Sequence, residues 1–298
     1  MTRPEVPIAV MAFDRPDYLA RVLQSVRAQD PPAAFTPRFV LFQDAAVSAR
    51  SGEALADPRR IAESVAVFRR YMPDGEVMES AHNLGVAMNF DRAERKLFLE
   101  CDYEFAIFLE DDMILQPQYF NVMGALMRIA LSRPDIGMVS GYGLRSDTPL
   151  PEQRRRRREL CLMNEHNWAF GLTAACWRAR DAVIGPYLAL LRDVDYRRRA
   201  ELRDEIMAFQ RALGRLGRGY HSSQDSIKNL ACEALGLHRL STVTNNARYI
   251  GRRGEHMTSE KFLMRGYART VLYDEAPETF EVPSQETLRR LAVAAALA

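Results

Sequence analysis

Short apolar runs alternate with amphipathic stretches through the first half of the chain. Apolar runs bounded by turn residues predict buried strands, and apolar side chains spaced three and four apart predict helices between them. This alternation is typical of βαβ units, so we expect an α/β fold with a mostly parallel sheet flanked by helices. The predicted strands are 6–13, 38–43, 76–80, 103–110, 136–142 and 239–244, and the predicted helices are one opening at Pro16, then 58–71, 86–99, 117–131, 178–191, 193–216 and 224–235.

The regular pattern breaks after the fifth predicted strand. Residues 145–160 contain two prolines and the arginine run Arg154–Arg158, which predicts a mobile, solvated loop. An acidic acceptor, a closing lid and peripheral contact with a membrane surface are alternative roles for this run. The C-terminal residues 266–298 end in the pattern of an amphipathic helix, which we expect to pack on a main domain of residues 1–265.

Composition narrows the class of protein. The 298 residues are enough for one α/β domain with a full core, and the formal net charge of +2 is too small to indicate a nucleic-acid partner. The four cysteines lack the paired spacings of a zinc site. No apolar run is long enough for a membrane span and no signal peptide is evident, so we predict a cytoplasmic location.

The acidic triplet Glu110-Asp111-Asp112 directly follows a predicted buried strand. Open α/β sheets bind ligands at the carboxyl ends of their strands, and adjacent carboxylates repel one another unless a cation is near. Mg²⁺ and Mn²⁺ accept carboxylate and phosphate oxygens together, so a nucleotide-sugar diphosphate is a natural co-ligand. The simpler interpretation is an acidic turn that ends a strand.

Two further polar residues end strands at the same predicted edge. Asp44 follows the second strand and Arg15 the first, where they could meet the base, ribose or phosphate of a nucleotide. The alternative for Asp44 is a loop carboxylate that accepts local backbone hydrogen bonds.

Asp225 lies at the predicted N-terminus of a helix. It is either a helix cap or a general base that takes the proton of an attacking hydroxyl. Because the helix dipole favours negative charge there, we expect its pKa to be low. Farther on, the glycines around Arg252 and Arg253 allow a sharp turn that would bring His256 to a diphosphate or a metal ion.

Taken in order, these motifs resemble those of inverting GT-A glycosyltransferases, and most closely the N-acetylglucosaminyltransferase I family. The resemblance spans about residues 6–260 and implies a GT-A fold, a UDP-sugar donor carrying GlcNAc, Mn²⁺ or Mg²⁺ at a DxD-type motif, and a glycan or other hydroxyl acceptor. The motifs are AFDRP, FQD, NLG, FLEDDMILQPQYF, NWAFG, SSQD and IGRRGEHMT.

The same resemblance implies roles for individual residues. Asp225 would be the catalytic base, and Asp112 would bind the metal with His256 beside the diphosphate. Together with the reading of the residues themselves, it gives the predicted donor-binding set Phe13, Arg15, Asp44, Asn83, Gly85, Glu110, Asp111, Gly171, Arg252 and Arg253. A retaining GT-A enzyme and a non-catalytic nucleotide-sugar-binding module remain as alternatives. A pyrophosphorylase is disfavoured because no glycine-rich loop follows the first strand.

Overall fold

The computed structural model of the chain describes residues 3–143, 145–163, 166–214, 221–254, 257–275 and 279–297. The predicted α/β class is confirmed, because strands and helices alternate through the first half. The strands are β1 Glu5–Ala12, β2 Thr36–Gln43, β3 Glu76–Glu79, β4 Phe105–Glu110, β5 Met113–Leu115, β6 Ile136–Ser140, β7 Leu160–Leu162, β8 Phe170–Thr173, β9 His238–Thr242 and β10 Ala247–Tyr249.

Helices cover the sheet and connect most of its strands. A π-helical turn extends the third helix, and short 3₁₀ segments at Tyr196–Leu202 and Tyr267–Arg269 join later helices. The helices are α1 Pro16–Arg27, α2 Pro58–Tyr71, α3 Gly85–Arg95, α4 Tyr119–Ser132, α5 Leu150–Arg155, α6 Ala174–Arg192, α7 Arg203–Ala212, α8 Gln224–Ala234, α9 Ser259–Met264 and α10 Gln285–Leu297.

Within the described residues, eight strands form one sheet in the order β3-β2-β1-β4-β8-β6-β9-β7. The pairs β1–β2, β1–β4, β2–β3 and β6–β9 are parallel, whereas β8 runs antiparallel to β4 and β6, and β7 runs antiparallel to β9. β5 and β10 form a separate antiparallel ribbon. The carboxyl ends of six strands therefore lie at one edge, together with the start of β8.

Side chains that alternate along β1 enter two different cores. Ile8 and Val10 pack in the core that contains α1, α2 and α4, and Ala9 and Met11 pack in the core that contains α3 and the start of α6. All four residues are buried because helices cover both faces of the sheet. The result is a three-layer α/β/α arrangement.

The segment 145–160 was wrongly predicted as a loop throughout. Pro149 caps α5, and Gln153 is buried in it, with its amide donating to the carbonyls of Thr148 and Val271. Within the arginine run, Arg156 pairs with Glu152 and Glu159, and Arg158 with Glu281, so part of its charge is neutralised. A membrane contact of this run stays a prediction.

The C-terminal segment packs on the rest of the chain. Tyr273 and Leu288 are fully buried, and the Tyr273 backbone N–H donates to the Asn245 carbonyl over 2.9 Å. The amphipathic helix is confirmed as α10, while a domain boundary at residue 265 stays a prediction. Among the described helices, none has the length and apolar character needed to cross a membrane.

A buried ion cluster links the helices α3, α6 and α8. The Glu94 carboxylate in α3 lies 2.7 Å from Lys228 Nζ in α8 and 2.7 Å from Arg180 in α6. All three side chains are almost inaccessible to solvent. Burial opposes the charge on Glu94, but the two cations outweigh it and lower its pKa. Since α8 carries Asp225, this cluster positions a candidate functional residue.

Replacing Glu94 with alanine should strongly destabilise the protein, because Lys228 and Arg180 would remain buried without their shared carboxylate. We expect a loss of about 3–5 kcal/mol in the free energy of unfolding, measured by urea denaturation. The control is Glu100→Ala, which removes the exposed carboxylate paired with Lys96 and should change stability little. Similar stabilities for the two variants would contradict the assigned role of the cluster.

Candidate functional site

Arg15 connects the end of β1 to the acidic triplet at the end of β4. The guanidinium donates to both oxygens of Asp111, and one of its nitrogens lies 2.8 Å from Asp112 Oδ2. A third contact, over 3.2 Å, goes to the backbone carbonyl of Arg253. Arg15 reaches the triplet because β1 and β4 are adjacent and parallel. The structure thus brings Arg15, Asp111, Asp112 and the 251–254 turn together, as predicted for one edge of the sheet.

Burial and neighbouring carboxylates disfavour the ionised forms of Glu110 and Asp111. Burial raises the pKa of Glu110 well above its ordinary value, and the charges of Asp112 and Asp225 raise it further. Burial also raises the pKa of Asp111 to about 6, although Arg15 opposes that shift. For Arg15, burial is outweighed by the two aspartates, so its pKa is also raised. The edge therefore favours binding of positive charge.

Asp112 has the features of a single metal ligand. Its Oδ1 atom is buried and has no hydrogen-bond partner among the described residues. Gly251 lies close to the other oxygen, because a Cβ atom added at Gly251 would lie 2.5 Å from Asp112 Oδ2. The described residues contain no group of three or more His, Cys, Asp or Glu side chains that could hold a metal ion. A cation here would need most of its ligands from a bound phosphate and water, which is how Mg²⁺ often binds.

Asp44 organises the loop that precedes α3. Its Oδ1 accepts hydrogen bonds from the backbone N–H groups of Ala45 and Leu84, and its Oδ2 accepts one from Gly85. Burial raises its pKa despite these hydrogen bonds. The Asn83 amide donates to the Ala45 carbonyl over 2.8 Å, which holds the same two loops together. Asp44, Asn83 and Gly85 therefore lie together as predicted, and the contacts seen are those of loop positioning.

The backbone at position 85 requires a glycine. Its φ angle is +72°, and a Cβ atom would lie 2.6 Å from Tyr196 Cβ. The backbone N–H of Gln224 donates to the Tyr196 hydroxyl over 3.2 Å. Tyr196 consequently lies between the N-termini of α3 and α8.

Asp225 lies in the first turn of α8, and Ser223 rather than Asp225 is the helix cap. Its Oδ1 accepts from the Gln224 amide and, over 3.5 Å, from the Asn167 amide. The predicted low pKa is wrong: burial raises it to about 6, although Lys228 and hydrogen bonds from Asn167 oppose the shift. The effect of burial exceeds the stabilisation that a helix N-terminus supplies.

The other residues predicted to bind the donor or the metal are Phe13, Arg252, Arg253 and His256. Phe13 is half-buried at the end of β1, and its carbonyl accepts from the Gln43 amide over 2.7 Å. Arg253 pairs with Asp17, and Arg252 lies over the Phe262 ring at 5.2 Å. Both arginines are exposed beside the acidic triplet. His256 lies outside the described residues.

Gly171 is not at the carboxyl edge with the other predicted donor residues. It pairs with Ile107 and Val139 inside the sheet, and a Cβ atom there would press on the Phe105 ring and lie 2.9 Å from Met123. We therefore correct its assignment to core packing. The neighbouring Phe170 is likewise in the core, stacked on Phe108 at 5.1 Å.

Two residues beside the site were not assigned to it from the sequence. Tyr249 lies near Asp112 in strand β10, which was not predicted. Burial raises the pKa of Tyr249, and the charges of Asp112 and Glu110 raise it further. Trp168 stacks on Tyr249 with ring centroids 4.3 Å apart. The sequence did point to Trp168, because this residue lies in the motif NWAFG. β10 has only three residues, so no periodic pattern marks Tyr249.

Comparisons with known proteins are uninformative at the sequence level and weak at the structural level. No family model matches the chain and no curated protein matches it. Among solved structures, S. aureus TarS is 11% identical over 78% of this chain, with a TM-score of 0.43. This chain spans 43% of that TarS chain.

Two neighbours carry bound sugar nucleotides. TarS residues 1–349 in complex with UDP-GlcNAc is 14% identical, with a TM-score of 0.47 over 85% of this chain and 60% of that chain. A mannosyltransferase from Pyrobaculum calidifontis in complex with GDP-Man and Mn²⁺ is 13% identical, with a TM-score of 0.40 over 79% and 70%.

Gly85→Ala should destabilise the protein by about 1–3 kcal/mol, because alanine at positive φ is strained and its methyl group would displace Tyr196. Urea denaturation measures the loss. The matched control is Gly236→Ala, because Gly236 also has a positive φ of +67° but a Cβ atom there meets nothing within 4 Å beyond its chain neighbours among the described residues, so only the smaller loss from backbone strain is expected. Equal effects of the two substitutions would rule out the close approach at Gly85.

Proposed function

We propose that the chain is a glycosyltransferase that moves a sugar from a nucleotide-diphosphate sugar onto an acceptor hydroxyl. The observation that carries this proposal is the convergence of Arg15, the Glu110–Asp112 triplet and Asp225 at the carboxyl edge of one sheet. An acidic motif that favours bound positive charge stands beside the separate carboxylate of Asp225. The order of the sequence motifs supports a GT-A enzyme with a UDP-sugar donor, and GlcNAc as the sugar.

The donor would lie across β2, β1 and β4. On this proposal the nucleoside binds beside Asp44 and the loop that Asp44 holds, and the diphosphate lies against Asp112 and the 251–254 turn. Arg252 and Arg253 are exposed there, and Arg253 would exchange its ion pair with Asp17 for phosphate oxygens. Glu110 and Asp111 would contact the ribose and the sugar.

Asp112 would hold a Mn²⁺ or Mg²⁺ ion together with the donor diphosphate. The unpartnered, buried Oδ1 atom supports this assignment. When bound, such an ion acts as a Lewis acid that neutralises negative charge on the leaving diphosphate.

Asp225 would be the base of a single displacement. Its carboxylate takes the proton of the acceptor hydroxyl, and the acceptor oxygen forms a bond to the anomeric carbon as the bond to the diphosphate oxygen breaks. The electron pair of that bond leaves with the nucleoside diphosphate. One displacement on one carbon inverts its configuration. The Asn167 and Gln224 amides hold Asp225 in place for this step.

The contacts of Arg15 favour one alternative. Because its guanidinium already pairs with Asp111 and Asp112, a protein cation partly replaces the metal charge. The second candidate is therefore a metal-independent transferase in which the arginines alone stabilise the leaving group. Both candidates predict donor binding, and they differ in its dependence on divalent cations.

Thermal-shift measurements with UDP-GlcNAc, UDP-GalNAc, UDP-glucose, UDP-galactose and GDP-mannose, each with Mn²⁺ or with EDTA, test the proposal. We expect one UDP-sugar to raise the melting temperature with Mn²⁺ and not with EDTA, since a ligand of the native state stabilises it. Asp112→Asn should remove that shift.

The other outcomes discriminate among the alternatives. A shift that persists in EDTA favours the metal-independent candidate. If no nucleotide sugar shifts the melting temperature, the proposed function is contradicted. Once an acceptor is found, the anomeric configuration of the product, read by NMR, separates inverting from retaining transfer.

Asp225→Asn should lower the transfer rate by about 10²–10⁴-fold, because general-base catalysis contributes about that factor. Donor binding should remain, since Asp225 is assigned to the acceptor proton. The control is Asp204→Asn, which changes an exposed carboxylate in the first turn of α7. Transfer at the full rate by Asp225→Asn would remove Asp225 from the role of base.

A further inference from the structure

A cavity of about 370 Å³ lies between α1, the end of β10 and the region of α9. Three arginines contribute to its lining: Arg21 from α1, Arg248 from β10 and Arg252 from the turn after β10. The lining as described contains no aspartate or glutamate. Neither Arg21 nor Arg248 was assigned a role from the sequence.

The charge of Arg21 is not neutralised by the nearest acidic residue of its own helix. Asp17 lies one helical turn before Arg21 in α1, where an ion pair would be expected. Instead, Asp17 pairs with Arg60 over 3.3 Å and with Arg253. Within the described part of the chain, Arg21 therefore presents an exposed guanidinium without an ion pair.

The other two arginines are also without an ion pair among the residues that the structure describes. Arg252 lies over the Phe262 ring at 5.2 Å, a contact that leaves its positive charge in place. Arg248 is half-buried, and its Nε atom is buried without a hydrogen-bond partner in the described ranges. A buried donor of this kind is normally satisfied by a bound group or by water.

Aromatic rings form the apolar part of the lining. Tyr249, Phe262 and Tyr267 are buried and pack on one another, with ring centroids 5.2, 5.7 and 5.9 Å apart. Because these rings already cover one another, the groups available to a ligand are the guanidiniums. The apolar surroundings lower the local polarity, which strengthens the attraction of the arginines for an anion.

The cavity borders the acidic triplet but does not include it. The Ile250 N–H, from the lining, donates to the Asp112 carbonyl over 2.9 Å, and Tyr249 pairs with Met113 in the β5–β10 ribbon. Among the described residues assigned to the donor, Arg252 is the one that lines the cavity. A ligand here would therefore lie beside the proposed donor diphosphate.

The excess of positive charge indicates the chemistry of the ligand. Three guanidiniums without a carboxylate favour an anion that carries more than one negative charge. A phosphate group carries about two at neutral pH, whereas a carboxylate carries one. Guanidinium groups also bind phosphate oxygens through paired hydrogen bonds.

We propose that Arg21, Arg248 and Arg252 form a site for a phosphate or diphosphate group, separate from the proposed donor diphosphate. The ligand is free phosphate or a phosphorylated molecule that binds alongside the nucleotide sugar. Arg248 is fixed in the ribbon, and the exposed Arg21 and Arg252 complete the site from solvent. The arginines make this site whichever reaction the chain performs.

Binding of pyrophosphate, inorganic phosphate and acetate, measured by isothermal titration calorimetry, tests the site. Metal-free buffer excludes binding through a cation at Asp112. We expect pyrophosphate to bind about fivefold or more tighter than acetate, with phosphate between them, and the preference to fall at high salt.

Arg21→Gln and Arg248→Gln should each weaken pyrophosphate binding by about fivefold or more, because each removes a charged hydrogen-bond donor. Thermal melts verify that the variants fold. Arg70→Gln is the matched control, since Arg70 is an exposed arginine of α2 that lies outside the cavity lining. It should bind pyrophosphate like the wild type.

The nucleotide-sugar response of the same variants tests whether the two sites are separate. Arg21→Gln and Arg248→Gln should keep the thermal shift with nucleotide sugar and Mn²⁺ while they lose pyrophosphate binding. If both responses fall together, the cavity belongs to the donor site and the separate phosphate site is rejected.

Two further results have fixed meanings. Pyrophosphate binding that is absent, or equal in the cavity variants and in Arg70→Gln, would overturn the inference and leave the transferase proposal standing. Pyrophosphate binding that the cavity variants lose, in a chain that responds to no nucleotide sugar, would support the phosphate site and contradict the proposed function.

Discussion

The ion pairs between Arg15 and the carboxylates of Asp111 and Asp112 are the interaction on which the carboxyl edge depends. Three consecutive acidic residues at the end of a buried strand would otherwise repel one another in a medium of low polarity. Arg15 offsets this repulsion only in part, because the pKa of Asp111 remains raised to about 6 and that of Glu110 is raised further. The edge therefore retains a capacity to bind positive charge, on which the proposed metal and diphosphate binding relies.

The buried ion cluster also supports the carboxyl edge, because it holds the helix that carries Asp225. Glu94, Lys228 and Arg180 join α3, α6 and α8 in the core, and Lys228 lies one helical turn from Asp225. Burial raises the pKa of Asp225, and Lys228 limits that rise. A single buried cation thus serves both the packing of the helices and the ionisation of the candidate base. Tyr196 adds a link between the two helix N-termini.

The two sides of the acidic triplet differ in chemistry. On the β1–β2 side, Asp44 and Asn83 are occupied with backbone groups, which shapes a rigid loop. On the β6–β8 side, stacked aromatic rings and exposed arginines form an open basic cavity.

The sequence by itself determined the α/β class, the positions of β1 to β4 and the collection of Arg15, Asp44 and Glu110–Asp112 at one edge. These follow from local periodicity and from the rule that parallel strands end at the same edge. Only the tertiary structure decided the antiparallel strand β8, the ribbon of β5 and β10, the burial of Gly171 in the core and the raised pKa of Asp225. β5 and β10 have three residues each, too few to show a periodic pattern, and the burial of a carboxylate depends on side chains distant in sequence. The pairing of Trp168 with Tyr249, 81 positions apart in the chain, depends in the same way on contacts that no local pattern records.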